Sequence, residues 1–258
     1  MTQSETSREG IADFSSLWPG GYYEGDPLDP MGSSGYGPLG FMSVLHATYL
    51  ACIKPYVTSQ TVAIEIGPGR GAWTRCLLAA REIWCLDALS AEHNAFWEYI
   101  GPSSKVRYLQ VTDFGCTAVP DRHFDFLFTF GTFCHIPFSG IAKYMESLRT
   151  KLKPGANCFL MVADFAKYNR ALARRRGLDG GRTLGPGLRG KVLRPLLKRH
   201  AMTEKNEGND GETPDEGLWY NAGVERSCEM LSNFGYRVVD PDMGVNHRDP
   251  MIHCVWDN

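Results

Sequence analysis

The sequence has no run of about 18 consecutive apolar residues, the length a membrane-crossing helix requires. Its first ten residues, MTQSETSREG, lack the basic-then-apolar order of a secretory signal. A cytoplasmic protein without a membrane partner is therefore expected. None of its eight cysteines falls in a CxxC pair, so the common zinc and redox patterns are missing. Scattered mostly through apolar segments, these cysteines read as small buried hydrophobes. Excess charge is lacking too: the formal net charge is −2, and no whole-chain basic field favours nucleic acid, which is not expected as a partner.

What is present is an alternation of two apolar periods. Short β-branched or apolar runs occur at 62–66, 83–86, 106–111, 124–130, 158–162, 236–239 and 252–256. Between most of them lie helix-like stretches at 72–81, 91–100, 139–152 and 221–234. Strands alternating with helices pair in parallel through right-handed crossovers, so the predicted fold is α/β with helices on both faces of the sheet. The short link between the last two runs predicts an antiparallel hairpin at the sheet edge.

Two segments interrupt this pattern. Residues 1 to about 40 are rich in Gly, Pro and Ser but carry Trp18, Tyr22, Tyr23 and Tyr36, too many aromatics for a solvated linker. A helix is predicted from Gly40 to Tyr56, and the expected division is a cover over 1–58 and a core over 59–258. The second segment, about 167–217, is basic as far as Lys205 and acidic from Glu207 to Glu216. It is expected to be an insertion between the fifth and sixth strands. If it lines the mouth of a site, it favours an anionic small molecule.

The chemistry is concentrated in Val62–Thr74, VAIEIGPGRGAWT. Glycines at 67, 69 and 71 let a ligand approach the backbone just before a helix with free N–H groups. The Gly-Lys-Ser/Thr ending of a phosphate loop is missing. The third glycine also comes too early for the G-x-G-x-x-G of a dinucleotide site. Glu65, two residues before the first glycine, disfavours an anion and suits a cationic ligand group.

Glu65-Ile-Gly-Pro-Gly-Arg-Gly71 resembles motif I of the class I S-adenosylmethionine-dependent methyltransferases. Further landmarks follow in order: Asp87 ending the second strand, Thr112-Asp113-Phe114 after the third, Phe124–Phe130 as the fourth, and Leu152-Lys-Pro-Gly155 leading into the fifth. The resemblance implies a Rossmann-like, seven-stranded, mostly parallel sheet whose last strand is antiparallel. S-adenosylmethionine is the implied cofactor and S-adenosylhomocysteine its product. The implied binding residues are Glu65, Gly67, Pro68, Gly69, Gly71, Asp87, Ala88, Thr112, Asp113, Phe114 and Phe130, with Asp87 on the ribose and Asp113 and Phe114 on the adenine.

Methyl transfer needs an aligned nucleophile and, for a hydroxyl acceptor, a base near neutral pH. His135, just past the fourth strand, is the expected base. Tyr22, Tyr23, His46, Trp219 and Tyr220 are the expected substrate contacts, with His247 and His253 as further candidates. No metal is expected, because Gly131 and Thr132 stand where a metal-assisted relative needs an oxygen ligand beside Asp164. O-methylation of a small molecule is the leading reading. Methylation of a simple amine and nicotinamide-dependent oxidoreduction are the alternatives.

Overall fold

In the computed structural model of the chain, residues 20–175 and 219–257 are described. A short hairpin of β1 (Pro38–Leu39) and β2 (Met42–Ser43) leads into α1 (Val44–Thr48), which continues as a π-helical stretch over Tyr49–Ile53. The helix predicted from Gly40 starts later because Leu39 and Met42 pair across the hairpin, and Ser43 then caps α1 by accepting from the Leu45 N–H.

The main sheet contains β3 (Val62–Ile66), β4 (Glu82–Asp87), β5 (Val106–Gln110), β6 (Phe124–Thr129), β7 (Leu152–Met161), β8 (Tyr236–Asp240) and β9 (Met251–Trp256). They lie in the order β5-β4-β3-β6-β7-β9-β8. Only β9 runs against its neighbours, inserted between β7 and β8. All seven predicted strands form, and the expected terminal hairpin is present. β7 starts early, at Leu152, because that residue already pairs with Phe124.

Every residue of β3 is buried, as a strand covered on both faces requires. Its two-residue period sends Val62, Ile64 and Ile66 to one apolar cluster and Ala63 to the other. Helix α2 (Ala72–Leu77) covers the Ala63 face with Trp73, Cys76 and Leu77. On the opposite face, α4 (Phe138–Leu148) contributes Ile141, Tyr144, Met145 and Leu148, one helical stripe. Met230 and Leu231 of α6 (Val224–Asn233) join them. Seven of the eight cysteines are buried and Cys228 is half-buried; all are free thiols.

The predicted helix at 91–100 shrinks to α3 (Phe96–Ile100), because Ala95 adopts a left-handed φ of 49° that interrupts the helical path. Of the predicted insertion, residues 167–175 belong to α5 (Phe165–Arg175). Its remainder, with the basic residues beyond Arg175 and the acidic run, lies outside the described residues, as does Trp18. Among the described residues no helix is long and apolar enough to cross a membrane.

Candidate active site

The chain runs from β3 outward to β4 and β5, then returns to lay β6 on the other side of β3. This reversal opens a crevice at the carboxyl ends of β3 and β6, where open α/β sheets take their ligands. Gly67 turns the chain out of β3 with φ +70°, and a Cβ there would lie 2.0 Å from Thr132 Oγ1. That hydroxyl donates to the carbonyls of Ile66 (3.1 Å) and Gly67 (3.3 Å), which fastens the turn after β6 to the turn after β3. Pro68 is buried, and its carbonyl accepts from the Gly71 N–H at 2.8 Å, closing the turn ahead of α2.

Glu65 shares the Ala63 face of β3 and is seated beneath α2. Its Oε2 accepts from Thr74 Oγ1 at 2.6 Å and from Cys85 Sγ at 3.7 Å. Burial raises its pKa to about 7, although the Thr74 and Cys85 hydrogen bonds oppose the shift. Asp87, at the end of β4, accepts from the Gly69 N–H (3.1 Å) and the Leu89 N–H (2.9 Å). Burial also raises its pKa, against the pull of those N–H groups and of Asn94. A hydrogen-bond-accepting carboxylate thus stands beside a glycine turn packed closely by the chain itself, with Thr132 over Gly67, the Tyr22 carbonyl over Gly69, and Ile100 and Phe96 over Gly71. The half-exposed Ala88 follows it, with its carbonyl held by Gln110 Nε2 at 3.0 Å.

After β5, Thr112 and Asp113 are exposed, and Asp113 accepts from the Gly115 N–H at 2.7 Å. Phe114 is half-buried against Tyr144, with centroids 5.0 Å apart. Phe130 is buried between Trp73 (4.7 Å) and Tyr36 (5.1 Å). His135 ends a 3-10 turn at Phe133–His135, half-buried on the β6 side of the crevice.

The segment before β1 crosses the same crevice. The carbonyl of Tyr22 accepts from the Arg70 N–H at 3.2 Å, and a Cβ on Gly69 would lie 3.1 Å from that oxygen. The Tyr22 ring comes within 3.7 Å of the position a Cβ would take on Gly131. Tyr23 packs edge-on against Tyr99, and the Arg70 guanidinium lies near both rings. Hydrogen bonding to Tyr99, followed by burial, pushes the Tyr23 phenol up to about 12.

The other expected contacts divide. His46 Nδ1 is 2.9 Å from the Pro27 carbonyl, so this ring tethers the cover to α1. His253 stacks on Phe159 at 4.3 Å within the sheet, and its Nε2 is 2.9 Å from Asn157 Oδ1. His247 is exposed. The Tyr220 N–H donates to the Cys134 carbonyl at 2.8 Å, which brings Trp219 and Tyr220 to the turn carrying His135.

A polar cluster not foreseen from the sequence lies alongside. The Arg248 guanidinium sits between the rings of Tyr36 (4.0 Å) and Trp219 (4.7 Å), donating to Tyr36 Oη and to Asp249 Oδ2, both at 2.6 Å. Glu24 is within its field, and burial raises that carboxyl's pKa while Arg248 lowers it. Asp164, the residue weighed as a metal ligand, instead accepts from the Lys167 N–H (2.7 Å) and the Val224 N–H (3.1 Å), so it caps α5 and α6 together. No motif or period in the sequence marks Arg248, Asp249 or Asn94.

Comparison with known proteins fits this arrangement. The model of a family described as a methyltransferase domain matches residues 55–198. No curated protein matches the sequence. Among solved structures, an S-adenosylmethionine-dependent methyltransferase from Mesorhizobium loti superposes with a TM-score of 0.54 at 14% identity, covering 83% of this chain and 98% of that one. The N-methyltransferase NodS from Bradyrhizobium japonicum WM9, in complex with S-adenosyl-L-homocysteine, gives 0.51 at 12% identity, with 82% and 84% covered. The mitomycin 7-O-methyltransferase MmcR gives 0.50 at 15% identity, covering 83% of this chain and 53% of that one. The family match spans more than half of the sequence, so the chain belongs to the methyltransferase-domain family, with the fold of the class I S-adenosylmethionine-dependent methyltransferases.

Proposed function

We propose that this enzyme methylates a hydroxyl group of a small molecule, holding S-adenosylmethionine in the crevice between β3 and β6. The observation that carries the reading is Asp87: a carboxylate at the end of β4, tied to the glycine turn by the Gly69 N–H. Ribose hydroxyls are donors suited to that carboxylate. The backbone at Gly67, Pro68, Gly69 and Gly71 would bear on the amino-acid end of the donor, with Glu65 acting from beneath. Ala88 would flank the ribose, and Thr112, Asp113 and Phe114 would meet the adenine, with Phe130 supporting the crevice floor.

The donor, when bound, supplies a methyl group on a positively charged sulfur. The chain has to align the acceptor, exclude water and receive the acceptor's proton. His135 is the base in this reading, because imidazole titrates near neutral pH and sits on the β6 side of the crevice. Tyr22 and Tyr23 would close the crevice from above, while Trp219 and Tyr220 would form its side, backed by Arg248 and Tyr36. In this reading residues 1–58 are the cover and residues 59–258 the catalytic core, so donor binding would reside in the core and substrate choice in the cover together with the core loops that carry Trp219, Tyr220 and Arg248.

Titration calorimetry with S-adenosylhomocysteine tests the donor assignment. Asp87→Ala is expected to weaken binding by about 10- to 100-fold, the worth of one or two hydrogen bonds to a charged group. Wild-type affinity in that variant removes Asp87 from the site. Trial acceptors bearing either a hydroxyl or an amine then separate O- from N-methylation.

A further inference from the structure

Asn94 is buried in the turn between β4 and α3, with 1% of its surface exposed. Its Oδ1 accepts from the Gly21 N–H at 3.0 Å, and its Nδ2 donates to Tyr108 Oη at 2.8 Å. The Tyr108 hydroxyl in turn donates to the Leu89 carbonyl at 2.8 Å. The Asn94 side chain also hydrogen-bonds the Asp87 carboxylate. A primary amide has one acceptor oxygen and two N–H donors, so these three partners engage both ends of the group.

Followed around, the contacts close on themselves. Gly21 bonds to Asn94, Asn94 to Asp87, and Asp87 to the Gly69 N–H. The next residue, Arg70, donates its N–H to the carbonyl of Tyr22, the neighbour of Gly21. One ring of hydrogen bonds therefore joins the cover, the carboxylate at the end of β4 and the glycine turn. A buried network with its partners satisfied holds each member in a single orientation.

We propose that Asn94 is the positioning residue of the donor site: it orients Asp87 and pins residues 20–23 over the glycine turn, so that donor binding and docking of this strap form one linked equilibrium. The proposal rests on reading Asp87 as the acid that takes the donor's ribose. A ligand that favours the docked arrangement stabilises it by the same free energy that docking adds to binding. Further along, the strap is tethered independently, with Arg75 Nη1 bonded to Asp26 Oδ2 at 3.2 Å and to Tyr99 Oη at 3.0 Å. Loss of Asn94 should thus free residues 20–23 without releasing the whole cover.

The strap carries its own reporter, since Tyr22 and Tyr23 are 43% and 41% exposed and are chymotrypsin sites. In the full-length wild type, saturating S-adenosylhomocysteine is expected to slow cleavage at Tyr22 and Tyr23 about tenfold, as a population shift of that size requires. Asn94→Ala is expected to weaken S-adenosylhomocysteine binding about tenfold by calorimetry and to abolish the protection at matched occupancy. Asn94→Asp keeps an oxygen for Gly21 but has no donor for Asp87 until it is protonated. Its affinity should therefore improve as pH falls from about 8 to about 5, unlike that of Asn94→Ala. The titratable groups around position 94 are Asp87 and Tyr108, with Glu65 and Cys85 behind them and His93 adjacent in the chain. Tyr108→Phe removes only the hydroxyl that holds the amide, and should weaken binding about threefold; it serves if the Asn94 variants do not fold. Wild-type affinity and protection in the variants would overturn the role of Asn94 alone. Absence of S-adenosylhomocysteine binding in the wild type would overturn the donor reading with it.

Discussion

The two halves of the crevice are built differently. On the β3–β4 side, Glu65, the glycine turn and Asp87 lie within one strand-turn-helix-strand unit. On the β6–β7 side the surface comes from four distant stretches: Tyr22 to Tyr36, Gly131 to His135, Trp219 with Tyr220, and Arg248 with Asp249. A donor common to many reactions can be held by local backbone geometry. An acceptor particular to one reaction is met by side chains gathered from the loops, where sequence can change without disturbing the sheet.

If the division is functional, substitutions should separate along it. His135→Ala should show the largest effect, a fall in methyl transfer of about 10²- to 10⁴-fold with S-adenosylhomocysteine affinity unchanged. Transfer at a near-normal rate would remove this histidine from the acceptor half. The comparison is sharpened by Glu65, whose pKa of about 7 in the folded chain exceeds the ordinary 4.5. Between those values the folded state retains a proton that the unfolded chain gives up. Stability is therefore greatest below about pH 4.5 and declines as pH rises towards 7, by on the order of 3 kcal/mol for this group. In Glu65→Gln, denaturant titrations across this window should show a flatter profile and a more stable protein at pH 8.

Gly67→Ala is expected to cost about 2 kcal/mol in stability and a comparable factor in donor affinity. The new Cβ meets Thr132 Oγ1 at 2.0 Å, and the backbone there has positive φ. Because Thr132 ties the two turns together, this change should also disturb the acceptor half, which thermal melts combined with kinetics would reveal. Tyr36→Phe sits at the small end of the scale. It removes the hydroxyl that accepts from Arg248, at a cost of about 1 kcal/mol. The acceptor's KM should change while donor affinity does not; a change in donor affinity would blur the boundary between the halves.

The β3–β4 half could be read in the sequence because its determinants are local. Three glycines, a preceding carboxylate and an acid at the end of the next strand have fixed separations that turn geometry imposes. The seven strands were legible for a similar reason, since burial on both faces leaves apolar runs such as VAIEI. Asn94 was not legible. A lone asparagine before a left-handed Ala95 reads as a turn residue, and the same irregularity shortened the helix predicted from Ala91. Nor was the seat of Glu65, since the motif indicated the turn, whereas the strand's two-residue period carried the side chain under α2 to Thr74.

The sequence by itself determined the alternation of strands and helices, the glycine turn, the placing of Asp87 at a strand end and that of His135 in the turn after β6, because these follow from short-range periodicity and turn stereochemistry. Tertiary structure alone decided that β9 lies between β7 and β8, that Arg248 is clasped between Tyr36 and Trp219, and that Gly21 reaches Asn94 across 73 positions. Contacts between residues so far apart leave no period in the chain. They arise when closure of the common core brings separate loops to the same edge of the sheet.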